Sequence, residues 1–157
     1  MPAIIFKHAW LLFILATCVN GAVWWHRARP KIAENPALEQ GYRRLIRSWI
    51  IYGNLPWLVM GAGILSGAVP STFHYFNPRN GPFVIAFYMT VVVLWILSFY
   101  WMFFRGGAED LILHPGLMNL PVSSPSLIKA YFLLCLAGGV LGLSWMVFGN
   151  IQIPLGK

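Results

Sequence analysis

The string FVIAFYMTVVVLWILSFYWMFF, residues 83–104, has no charged side chain anywhere in it. At 1.5 Å of rise per residue a helix of that length covers about 33 Å, enough for the ~30 Å hydrocarbon layer of a bilayer. A helix packed on a soluble core keeps one polar face, and this stretch has none, so it reads as a spanning segment. Similar runs lie at residues 4–25, 48–69 and 130–148, and the four together take up more than half of the 157-residue chain. The expected fold is all-α: a polytopic membrane protein made as a four-transmembrane-helix bundle, one integral membrane domain over residues 1–157.

Composition agrees with this. Hydrophobic residues make up 59% and charged residues 10% of the chain, against roughly 25% charged in an ordinary globular domain. The net charge of +7 does not mark a nucleic-acid partner, because Lys and Arg gather in the short segments that flank the apolar runs and form no basic domain. Ahead of Cys18, Leu15-Ala16-Thr17 resembles a lipoprotein cleavage box only faintly, so the first run is expected to stay as an uncleaved helix. Cys18 and Cys135 both fall inside apolar runs and read as small packing residues. No Cys-x-x-Cys or His-x-x-x-His spacing points to a zinc or iron–sulfur site.

Charge also orients the chain. Arg27, Arg29, Lys31, Arg43, Arg44 and Arg47 lie between the first two runs and Arg105 and Lys129 between the last two, which makes eight of the eleven Lys and Arg residues. The positive-inside rule then puts loops 26–47 and 105–129 in the cytoplasm and both termini outside, as expected in a bacterial cytoplasmic (inner) membrane. Trp24, Trp25, Trp49 and Trp101 would form an aromatic belt at the same interface. Asn35-Pro36, Gly81-Pro82 and Ser124-Pro125 each read as a helix start, since proline at the first helical position gives up an N–H that has no partner there. The second helix is expected to begin near Pro36 and to lie partly along the membrane surface. At the end of the third run, Arg105-Gly106-Gly107 supplies a left-handed cap, and a short helix over 108–113 stops at His114-Pro115-Gly116. The connection over 71–81 reads as a compact, turn-rich loop.

Several places offer themselves as functional. Asn20 and Asn54 stand at similar distances from the ends of their runs, so they are expected at one depth and within reach of a mutual hydrogen bond, with Ser98 near that level. Such a polar belt can hold a lipid or quinone headgroup, a small molecule or a water, or simply join helices. Pro56 follows Asn54 closely and should kink the second helix. Trp57 and Trp95 lie nearer the bilayer interior than tryptophan prefers and offer a surface to a ligand or to the core. Arg105, Glu109, Asp110 and His114 form the densest cluster of reactive side-chain types, suited to acid–base or metal chemistry or to anchoring a helix end. Gly61, Gly63 and Gly67, with Gly138 and Gly142, provide small-residue faces for packing of spans two and four, for self-association, or for another subunit. No cofactor is expected. A haem would need His8 with His74 or His26 with His114, which fall outside the spans or at their ends.

No run has a central Asp, Glu, Lys or Arg, the usual mark of an ion-coupled transporter. The reading that follows is a non-catalytic accessory, assembly or scaffold subunit of a membrane complex. Its rivals are a small-molecule, lipid or quinone binder or transporter at Asn20, Asn54 and Pro56, and a membrane-embedded enzyme or redox protein at Glu109, Asp110 and His114 or at a histidine pair.

Overall fold

Asn35 ends one helix and starts the next, and this turn sets the geometry of half the molecule. A computed structural model describes residues 7–118 and 124–149. In it the first helix, α1, spans Ala9–Glu34 and the second, α2, spans Glu39–Leu65, joined by a single 3-10 turn over Pro36–Leu38. The Asn35 side chain accepts from the Ala37 N–H at 3.2 Å, and Pro36 fills the first position of the turn, where its missing N–H costs nothing. The basic segment over 26–47 is thus an antiparallel helical hairpin, longer at both ends than hydropathy suggests. Lys31 and Glu34 pair at 3.2 Å and Glu39 and Arg43 at 2.7 Å, so charge supports these helical turns beyond the apolar run.

The second helix has no break between its basic first turns and the apolar run. It is continuous from Glu39 through Leu65, and its first turns bury Tyr42 and Ile46 against Ala28 of α1 and Leu117. It stays helical through Pro56, whose absent N–H leaves the Tyr52 carbonyl without its normal partner and marks the point where a bend is expected. After Leu65 the chain turns at Gly67, which has a φ of +76° open to glycine, and the Val69 N–H returns to the Gly63 carbonyl at 3.0 Å.

A connection of two 3-10 turns, Thr72–Phe76 and Pro78–Asn80, leads into α3 over Pro82–Phe104. This connection is fastened by tyrosines. Tyr75 Oη donates to the Met60 carbonyl at 3.1 Å and Tyr88 Oη to the Tyr75 carbonyl at 2.8 Å, in a cluster with Trp10, Ile64, Val69 and Val84. Gly106, with a φ of +73°, ends α3 as the sequence suggests and starts the short helix α4, Gly107–Leu113. The last helix, α5, spans Pro125–Phe148. Among the described residues there is no strand.

Four of these helices are long and apolar enough to cross a membrane, α2 counted together with its leading 3-10 turn. Leu15, Ile96, Leu134 and Leu141 are among the large apolar side chains left on the outside, as a lipid solvent requires. Residues 4–6 of the first expected span, residues 119–123 of the loop before α5, and Lys157 lie outside the described residues.

Candidate functional site

Residues equally distant from the Asn35–Leu38 turn face one another along the hairpin. A Cβ on Gly21 would sit 2.6 Å from Ile50, one on Gly53 3.3 Å from Thr17, and one on Gly61 2.7 Å from Trp10, so glycines let α1 and α2 approach closely. Phe13 stacks on Trp57 with ring centroids 4.2 Å apart. In this register Asn54 stands opposite Thr17 and Cys18. Its amide Nδ2 donates to the Ile50 carbonyl at 2.8 Å and reaches Cys18 Sγ at 3.8 Å.

Asn20 is therefore not the partner of Asn54, nor is Ser98. The expected pairing measured depth from the ends of the apolar runs, at residues 25 and 48, and those ends are not symmetric about the turn. Asn20 falls roughly one helical turn from the level of Asn54. Asn54 itself is 7% exposed, and its Oδ1 is buried with no hydrogen-bond partner among the described residues. Since Nδ2 is fixed by its bond to a carbonyl, the orphan atom is the acceptor. Trp57 is enclosed by Phe13 and by Phe87, whose centroid lies 6.0 Å away. Trp95 covers Gly139 of α5, where an added Cβ would meet the indole at 2.8 Å. Cys18 and Cys135 are free and lie on the exposed surface, not in the packed interior.

At the basic end, the reactive cluster is drawn into ties between helices. Arg105 and Glu109 do not pair, because Gly106 breaks the helix between them. Glu109 instead meets Lys129 of α5 at 3.1 Å, and Asp110 meets Arg44 of α2 at 2.7 Å. The Glu109 carboxyl is held below its ordinary value, first by a hydrogen bond from its own backbone N–H and then by the Lys129 ammonium. Arg105 is exposed and makes no ion pair among the described residues.

His114 is 3% exposed. Its Nδ1 lies 2.7 Å from the Asp110 carbonyl, and its ring stands edge-on to Tyr42 with centroids 4.9 Å apart. The Nε2 side rests against Gly41, in the space a Cβ there would fill. Tyr42 Oη then donates to the Pro115 carbonyl at 2.8 Å. The turn after α4 is thereby seated on the α1–α2 hairpin. Among the described residues no three His, Cys, Asp or Glu side chains gather as a group that could hold a metal ion.

Sequence reasoning missed the partners that give this cluster its form, namely Gly41, Tyr42, Arg44 and Lys129. One signal was present, since a glycine inside a helical pattern often marks a close approach. The small-residue faces divide in an unexpected way. Gly61 and Gly63 are covered, the latter by Tyr75 and Phe83, and Gly67 belongs to a turn, while a Cβ added at Gly138 or Gly142 would meet nothing within 4 Å among the described residues. Spans two and four do not pack through these glycines.

The fold and its apolar helices define a small multi-pass membrane protein. No protein family, no curated protein and no solved structure matches this chain.

Proposed function

We propose that this protein is a non-catalytic accessory, assembly or scaffold subunit of a membrane complex, set in a bacterial cytoplasmic membrane with its basic end inside. The observation that carries the reading is the use made of its ionisable side chains. The chain has four carboxylates in all, and each is paired with a cation: Glu34 with Lys31, Glu39 with Arg43, Glu109 with Lys129 and Asp110 with Arg44. Two of these pairs join separate helices, and His114 is seated as a wedge. These groups hold α2, α4 and α5 in register.

The open flank of α5 supports the same reading. Gly139 is closed by Trp95, but Gly138 and Gly142 lie one turn apart on a face with Leu134, Leu141 and Trp145 exposed around it. Small residues at that spacing let a second helix approach closely in lipid. Affinity purification of the tagged protein from native membranes in mild detergent, followed by mass spectrometry, tests the assignment. A membrane protein retained in stoichiometric amount is the expected result. A single species with no companion would overturn it.

A second reading is favoured by one observation, the buried and unpartnered Oδ1 of Asn54. An acceptor left alone in an apolar interior costs free energy unless something donates to it. A small ligand or water with a hydroxyl or N–H group, entering between α1 and α2, would satisfy it.

A further inference from the structure

A shallow, wide-open surface groove lies among the N-terminal part of α2, the α3–α4 junction and the start of α5, with Arg44, Arg105, Glu109, Asp110, Ile112 and Leu113 among the residues that line it. We infer that this groove binds the phosphodiester headgroup of one anionic phospholipid, with Arg105 as the principal phosphate ligand.

Position is the first argument. Arg105 follows directly on the 23-residue apolar helix α3, whose length matches the hydrocarbon layer, so its guanidinium emerges at headgroup level. Exposed Phe104 precedes it in the chain, exposed Leu113 ends α4 and exposed Leu127 lies in the first turn of α5, giving acyl chains an apolar surface. The Arg105 backbone is held by its N–H bond to the Trp101 carbonyl at 3.2 Å, which fixes where the side chain starts.

Charge is the second. Asp110 is neutralised by Arg44 and Glu109 by Lys129, which leaves the single positive charge of Arg105 in the groove. A phosphodiester carries one negative charge and offers two oxygens to a guanidinium, a geometry that favours arginine. A nucleotide or free polyphosphate brings several negative charges, more than the one unpaired guanidinium of Arg105 balances. One monoanionic headgroup is what this balance fits. The surrounding surface attracts the same lipids, since eight Lys and Arg share this end of the molecule with only four carboxylates.

Native mass spectrometry of the detergent-purified full chain tests the inference. The protein is titrated with phosphatidylglycerol or with phosphatidylcholine of the same acyl chains. The expected result is about fivefold more phosphatidylglycerol adduct, the effect of one interfacial arginine, lost in Arg105→Gln and only partly kept in Arg105→Lys, which preserves the charge but not the two-pronged geometry. Equal adducts from both lipids, or an Arg105→Gln protein that keeps its preference, would overturn the site. Displacement of phosphatidylglycerol by millimolar inorganic phosphate would also overturn the lipid assignment, because it would make the groove a free-anion site. Should Arg105→Gln fail to give helical, monodisperse protein, Arg105→Met takes its place, and a phosphatidylglycerol preference kept in that variant overturns the site.

Discussion

The imidazole of His114 occupies the space that a side chain on Gly41 would need. The contact joins α2 to the turn after α4 across more than seventy residues of sequence, and the Tyr42 bond to the Pro115 carbonyl closes the same joint from the next position. A buried histidine is here a packing element whose polar edge is satisfied by the Asp110 carbonyl.

Gly41→Ala should therefore lower stability by about 1–3 kcal/mol, the usual cost of forcing an extra group into a filled site. Thermal unfolding in detergent measures it. His114→Ala should remove most of that cost when combined with Gly41→Ala, whereas an additive pair would show that the two residues do not share the space.

Tyr75→Phe and Tyr88→Phe should each cost about 1 kcal/mol, the net worth of one hydrogen bond. The two should be non-additive, because Tyr88 holds the Tyr75 backbone while Tyr75 holds Met60. Burial pushes the Tyr75 hydroxyl above its ordinary value, so it remains a donor throughout the working pH range. Faster protease cleavage between Gly67 and Gly81 is the readout, and unchanged cleavage would show that the connection is fastened elsewhere.

The Glu109–Lys129 tie should be sensitive to acid. A carboxylate whose folded pKa is depressed adds stability above its ordinary value and loses it as pH falls through the depressed one. For Glu109 that places the tie intact at neutral pH and fading below the ordinary value of 4.5. The difference in melting temperature between wild type and Glu109→Gln should be small, since the carboxyl is largely exposed, and should vanish in acid. A difference that grows on acidification would contradict the assignment.

Asn54→Leu removes an amide with one orphan acceptor and keeps much of its volume. Stability should change by less than about 1 kcal/mol, because both the unpaired oxygen and the bond to the Ile50 carbonyl are given up together. A markedly larger loss would show that something donates to Oδ1 in the native membrane, and would favour a ligand or water between α1 and α2.

On α5, Gly142→Leu should leave the isolated protein folded, while Gly139→Leu should disturb it by striking Trp95. If a partner helix seats on the open face, Gly142→Leu also strips that partner during purification. Retention of the partner by this variant would place the interface elsewhere.

Some of this was legible in sequence because it is local. A helix that must satisfy every backbone group within itself shows its presence as an unbroken apolar run, which is why residues 83–104 nearly coincide with α3. Gly106 as a left-handed cap and Pro36, Pro82 and Pro125 as helix starts depend only on the φ angle and the N–H of single residues. Tertiary structure alone decided which side chains meet. The helical hairpin turns at Asn35–Leu38, and that turn places Asn54 opposite Cys18, not Asn20. The partners of Glu109, Asp110 and His114 come from α5 and α2. Hydropathy measures how far a segment can reach through lipid and is blind to the rotation and register of one helix against another, and contacts between helices are set by register.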